Sequence, residues 1–191
     1  GRIGRCGRRW TPADPQSNMA RPTKKIKAGN GSETAPERVR ITFPVRVGAV
    51  DVGSNAMRFL LAEFSSPAAY SVLETERLPV RLGHDVFLTG RLTQTAMDAA
   101  LAALATFRDK LARWEVPHHR AVTTSAVRES KNGDEFLERV QRETGLRLEI
   151  ITGSEEARLV YLAVRNRVDL GIHDWIVADL GGGSVEVSRV N

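Results

Sequence analysis

Only one cysteine, Cys6, occurs in the 191 residues, so no intramolecular disulfide can form and nothing reads as a secreted disulfide scaffold. The sequence also lacks the roughly 18 uninterrupted apolar residues that a membrane-spanning helix needs. Its opening stretch, GRIGRCGRRWTPADPQSN, carries positive charge without the apolar segment of a secretory signal. The expected location is therefore the cytoplasm, with no membrane partner. No repeat of solenoid period is present, and no Gly-Lys-Ser/Thr follows a glycine loop as a Walker motif requires. His84, His118, His119 and His173 are scattered without metal-ligand spacing and take no catalytic role. What is present, 41% hydrophobic and 27% charged residues, fits an ordinary globular domain. The length suits one domain with a core and a tail rather than two full domains.

The net charge of +5 divides unevenly. Residues 1–46 hold 11 Lys/Arg against 3 Asp/Glu, a balance of +8, whereas residues 47–191 hold 17 against 20, or −3. The basicity belongs to the leader, whose Gly, Pro, Ser and Arg content reads as disordered to about Arg40. Its KKIK cluster at 24–27 can touch a polyanion by simple electrostatics, but it contains no reading motif, so no specific nucleic acid is expected. The chain begins with Gly1, and Met19 or a later codon is a candidate natural start. Asn30-Gly31-Ser32 fits a glycosylation acceptor, a chance match in a chain without a secretion signal.

From Val45 the pattern becomes β-branched alternation. Residues 45–52, 57–64 and 70–78 read as three strands of an antiparallel meander. Thr93 can cap a helix whose Met97, Ala100, Leu101, Leu104, Phe107 and Leu111 form the stripe of a helix packed on a sheet, and Pro117 forbids its continuation. Residues 120–125 read as a fourth strand, 134–144 as a helix ended by Gly145, and 147–151 as a fifth strand. A third long helix starts after Gly153-Ser154, with Ser154 a suitable N-cap, and presents Ala157, Val160, Leu162, Ala163 and Val164 to a core. Residues 175–180 and 184–190 complete the order as two strands. The alternating half predicts an α/β domain with a mostly parallel sheet and an antiparallel edge.

One feature recurs. A strand ends in an acid and then glycine, first as Asp51-Val52-Gly53-Ser54-Asn55 and again as Asp179-Leu180-Gly181-Gly182-Gly183-Ser184. Such loops can turn backbone N–H groups around an anion, with phosphate the natural guest. The Ser54 and Ser184 hydroxyls and the Asn55 amide add donors, and Asp51 and Asp179 can orient a divalent cation. Either loop alone also reads as a tight β-turn. Glu186, two positions beyond Ser184 on a strand, shares its face and is either a metal-site acid or a solvent-facing one. Glu155 and Glu156 open a helix, where acids are favoured by the macrodipole, yet a base that activates water needs a carboxylate at such a junction. Thr124, Ser125 and Arg128 follow the fourth strand, where the arginine can fork onto phosphate oxygens or simply face solvent.

The blocks AVDVGSNAMRFLL, TTSAVRESKNGDEF, IITGSEEARLVYL and WIVADLGGGSVEV resemble, in order and separation, the exopolyphosphatase and guanosine-pentaphosphate phosphohydrolase (Ppx/GppA) family. The resemblance spans 47–190 and implies a ribonuclease-H-like (actin-like ATPase) lobe, with a mixed sheet and helices on its faces. By domain, it implies a disordered basic leader at 1–44, a first lobe at 45–173 and the start of a second, truncated lobe at 174–191. It implies hydrolysis of a terminal phosphoanhydride with Mg2+, the substrate being inorganic polyphosphate or guanosine pentaphosphate. By position, Glu156 resembles the general base, and Asp179 and Glu186 the metal-associated acids, with Asp51 supporting a metal through water. Arg128 resembles the phosphate-grasping arginine, and Gly53, Ser54, Asn55, Gly181, Gly182, Gly183 and Ser184 the two phosphate loops. Ala56 and Val185 depart from the family, which often has hydroxyl residues there. Ending at Asn191 implies half a cleft, impaired activity and exposed strand edges, and the full-length protein is allowed a homodimer. The alternatives are a noncatalytic polyphosphate- or nucleotide-binding module and a kinase-like ATPase.

Overall fold

The computed structural model of the protein describes residues 41–190. Residues 1–40 of the expected leader, with Cys6, Met19, the 24–27 cluster and Asn30, lie outside the described residues. β1 (Val45–Val52), β2 (Met57–Ser66) and β3 (Ala69–Leu78) form the antiparallel meander. Alternation decides their faces: Val50, Val52, Met57, Phe59 and Leu61 are buried, while Arg58 and Leu60 between them are exposed. β4 (His118–Thr123) pairs parallel with β1, and β5 (Leu148–Ile150) pairs parallel with β4. The sheet order is β3-β2-β1-β4-β5, the arrangement of a ribonuclease-H-like, actin-like lobe. Two of its pairings are antiparallel and two parallel, so the sheet is evenly mixed rather than mostly parallel.

α1 (Gly83–Thr89) and α3 (Ser125–Arg128) are short helices that the apolar periodicity does not announce. α2 (Gln94–Arg113) is capped by the Thr93 side chain, which accepts from the Ala96 N–H, and buries all six apolar residues of its stripe. It comes close to β1 because position 48 is glycine: a side chain there would put its first carbon 2.4 Å from Leu111 Cδ2. Phe107 of α2 stacks on Phe59 of β2, with ring centroids 5.3 Å apart. α4 (Gly133–Thr144) adds Phe136 and Val140 to the same core and ends at Gly145, whose φ of 73° is left-handed. The buried Asn132 side chain accepts from Leu92 N–H at 2.8 Å and donates to Leu92 C=O at 3.0 Å, tying the start of α4 to the loop before α2.

β4 stops two residues before the expected end. The Thr123 hydroxyl donates to Val52 C=O at 2.9 Å, and the chain then turns into α3, so Thr124 and Ser125 leave the sheet. α5 (Gly153–Arg165) is capped by Thr152, whose side chain accepts from Glu155 N–H at 3.2 Å, rather than by Ser154. It has no fully buried residue, contrary to the expectation for Ala157, Val160, Leu162, Ala163 and Val164. The reason lies in its neighbour: β6 (Trp175–Leu180) and β7 (Val185–Val190) form a separate two-stranded antiparallel sheet, too small to bury a helix face. Among the described residues no helix is long and apolar enough to cross a membrane.

Candidate functional site

Each glycine loop is a four-residue connection between antiparallel strands. Val52 pairs with Met57 around Gly53–Ala56 in the first, and Leu180 pairs with Val185 around Gly181–Ser184 in the second. The closing hydrogen bonds match: Gly53 N–H donates to Ala56 C=O at 3.2 Å, and Gly181 N–H to Ser184 C=O at 2.9 Å. The two loops therefore share one backbone design, and Ala56, a departure from the family pattern, enters its closing bond through its carbonyl. Ser54 is buried, its hydroxyl 3.0 Å from that of Ser125, and its carbonyl accepts from Gly83 N–H at 2.8 Å.

The loops meet. A side chain at Gly182 would put its first carbon 2.5 Å from Asn55 Nδ2, so the second loop rests against the Asn55 amide. Beside this contact opens a cleft of about 520 Å³. Its lining includes Gly53, Ser54, Asn55, Thr124 and Ser125 from one side, and Asp179, Gly181, Gly182 and Ser184 from the other. Glu156, Leu159, Val160 and Ala163 of α5 form a third wall. The floor is one row across the sheet: Val122 of β4, Asp51 of β1, Arg58 of β2 and Arg77 of β3 are register partners and all line the cleft. Arg58 and Arg77 were not singled out from the sequence. Period two along β2 and β3 is the signal that exposes them, because each lies between residues of the core face.

Glu155 and Glu156 are adjacent but in opposite states. Glu155 accepts from Arg158 at 2.6 and 3.0 Å and from Arg120 at 3.2 Å. The Arg158 hydrogen bond, aided by that of Arg120, pushes its carboxyl down to about 2. Glu156 points the other way, and its side chain is only 16% exposed. Burial pushes its carboxyl above the ordinary 4.5, the Glu186 charge raises it further, and the Arg128 hydrogen bond opposes both. A carboxyl raised by burial and like charge beside a cleft is the environment in which acid–base groups are found.

Not every expected residue lines the cleft. Arg128 Nη1 donates to Ile151 C=O at 2.8 Å and to Glu156 Oε2 at 3.4 Å; its guanidinium holds the glutamate and forms no wall of the cleft. Gly183 of the second loop does not line the cleft, and Glu186 lines a second groove with Ser154, Ala157 and Arg158. Asp51 accepts from Arg58 Nη1 at 2.9 Å, which neutralises it. Among the described residues no three His, Cys, Asp or Glu side chains form a metal-ligand cluster, so Asp51, Asp179 and Glu186 are not brought into one ligand set. Asp179 and Glu186 alone are direct register partners across β6 and β7, and Glu186 Oε2 is buried without a hydrogen-bond partner.

The exopolyphosphatase 1 of Mycobacterium leprae is 33% identical to this chain over 145 residues, covering 76% of the chain and 43% of that protein. The exopolyphosphatase 2 of Mycobacterium tuberculosis is 34% identical over 150 residues, covering 74% and 47%. The chain thus spans less than half the length of these curated relatives. Among solved structures, an exopolyphosphatase from Cytophaga hutchinsonii superposes with a TM-score of 0.73 at 34% identity, covering 76% of this chain and 46% of that one. The Ppx/GppA family member of Aquifex aeolicus gives 0.67 at 32% identity, covering 76% and 51%. The Ppx/GppA phosphatase family profile itself matches residues 64–191, and together with these identities and superpositions it leads to one conclusion: the chain belongs to the Ppx/GppA phosphatase family.

Proposed function

We propose that the cleft is a phosphoanhydride-hydrolysing site that releases terminal phosphate from inorganic polyphosphate, with guanosine pentaphosphate the second substrate. The observation that carries this reading is the meeting of two matched glycine loops beside a half-buried Glu156 whose carboxyl is pushed up. The loops supply N–H and hydroxyl donors for the terminal phosphate, and Arg77 on the floor offers positive charge to an anionic chain. Glu156, held by Arg128, takes a proton from a water whose oxygen forms the new bond to the terminal phosphorus, while the anhydride P–O bond breaks toward the next phosphate. The relatives named exopolyphosphatase support the polymer as the leading substrate.

Mg2+ fits one part of this site. Asp179 and Glu186 are register partners, and Glu186 Oε2 is buried without a hydrogen-bond partner; Mg2+ is commonly held by one or two carboxylates plus substrate phosphates. When bound, the ion supplies positive charge against the phosphate oxygens. Asp51 does not belong to this set, because Arg58 already satisfies it. We further propose that β6 and β7 begin a second lobe, and that a chain carrying only this portion turns over slowly, because electrostatic stabilisation needs a closed site.

The test is phosphate release from polyphosphate in Mg2+ by the full-length protein. Glu156→Gln should lower the rate by about 10²- to 10⁴-fold while polyphosphate binding persists. Binding without release in the unmodified protein would favour the noncatalytic binding module instead.

A further inference from the structure

The hairpin of β6 and β7 shares no strand pairing with the five-stranded sheet. It packs along α5, and at the cleft two side-chain contacts join its loop to the first loop and to α1. One is Asn55 against Gly182. The other runs through Phe87 of α1, an exposed residue that neither the sequence motifs nor the proposed chemistry uses.

α1 is anchored to the first loop by its first residue, since Gly83 N–H donates to Ser54 C=O. The Phe87 ring lies against this same glycine: a side chain at Gly83 would put its first carbon 2.6 Å from Phe87 Cε2 and 2.9 Å from Ser54 Cβ. The far end of the ring meets the second loop. A side chain at Gly183 would put its first carbon 1.8 Å from Phe87 Cζ, 2.3 Å from Cε2 and 2.7 Å from Cε1. One rigid ring thus fills the gap between the glycine that holds the first loop and a glycine of the second. Absent side chains at both positions are what allow it to fit.

We infer that Phe87 is a positioning residue, the spacer whose ring sets the separation of the two glycine loops and so the width of the cleft between them. Its functional part rests on the phosphate-site reading above; its structural part does not. A ring has few rotatable bonds, so it transmits position better than a flexible aliphatic chain. Donors on two separate loops converge on one anion only at the correct separation, and small displacements in such sites are costly.

The experiment has two arms on the full-length protein. In the first, without ligand, amide hydrogen exchange is followed at residues 53–56 and 181–184. Phe87→Ala should speed exchange in the second loop several-fold by loosening its support. Phe87→Leu, which lacks the Cε and Cζ atoms that meet Gly183, should restore little of the protection, and Phe87→Met, long enough to reach, should restore part of it. In the second arm, tripolyphosphate binding is measured by calorimetry. Phe87→Ala should weaken it by about tenfold or more, with Phe87→Met recovering part of the loss and Phe87→Leu little.

Gly183→Ala supplies an independent variant, because its backbone is not in the left-handed region: among the described residues only Gly90, Gly145 and Gly171 are glycines with positive φ. It should weaken binding by forcing the ring aside, and Phe87→Ala should suppress that defect when the two are combined. Unchanged exchange in Phe87→Ala, or strictly additive losses in the double variant, would overturn the inference. Faster exchange in Phe87→Ala with no tripolyphosphate binding by any form, the unmodified protein included, would support the spacer and retire the phosphate reading.

Discussion

The first hairpin, β1–β2, and the second, β6–β7, carry the same loop on opposite foundations. Both have an aspartate two residues before the first loop glycine, and both close with the same backbone hydrogen bond. They differ in the residue opposite that aspartate. Asp51 faces Arg58 and forms an ion pair at 2.9 Å, whereas Asp179 faces Glu186, a second acid. They differ again in support: Phe59 of β2 is sealed in the core, whereas Val187 of β7 is 65% exposed. The first hairpin is electrically complete and structurally embedded. The second leaves two carboxylates facing each other without a counter-charge and rests on few neighbours. A loop's backbone alone therefore does not fix its role; the partner across the strand does, because like charges directly opposite are unfavourable until a cation joins them.

The largest effect should come from the unequal foundations. Phe59→Ala should cost about 3–5 kcal/mol in urea unfolding, since it removes a buried ring and leaves a cavity. Val187→Ala should stay within about 0.5 kcal/mol. Comparable losses would mean that the second hairpin has a core of its own.

The unequal charges give a smaller effect. Glu186→Gln should weaken Mg2+ binding, read by calorimetry, by about tenfold or more, while Asp51→Asn leaves it unchanged. Equal losses would return Asp51 to the ligand set.

The smallest effect concerns the two glutamates at the start of α5, followed by unfolding between pH 2 and 7. A depressed carboxyl stabilises the fold above its ordinary value. Glu155 should therefore contribute fully above 4.5, and that contribution should fade as pH falls toward about 2. Glu156 has the opposite sign: its raised value means a penalty absent below 4.5 that appears as pH rises through the folded value. Glu155→Gln should lower stability at pH 7 and flatten the acid loss, and Glu156→Gln should raise stability at pH 7. The reverse pattern would break the division between a structural and a functional glutamate.

Much of the lobe was legible because its elements announce themselves locally. The strand at 45–52, the Thr93 cap, the six-residue stripe of α2 and the Gly145 stop all follow from period and turn chemistry, and each is present. α1 was not legible: its single buried valine, Val86, leaves no apolar stripe to read. The N-cap of α5 fell to Thr152 because Gly153 already adopts helical backbone, so the helix starts two residues earlier than its composition suggests. Arg58 and Arg77 escaped notice because a register partner is a property of the sheet, not of either strand. Arg128 is a candidate from the sequence alone, yet its attachment to Glu156 depends on β4, α3 and α5 converging.

Local chemistry settled where strands turn, which helices carry an inward face, and that two acid-and-glycine bends occur. Those features depend on a few neighbouring residues and on steric rules that operate at short range. Assembly settled the rest: that the bends touch through Asn55 and Gly182, that one aspartate is neutralised and the other is not, and that Glu156 is pushed up while Glu155 is pulled down. Burial and charge act through space, so their values emerge only when distant segments are brought together.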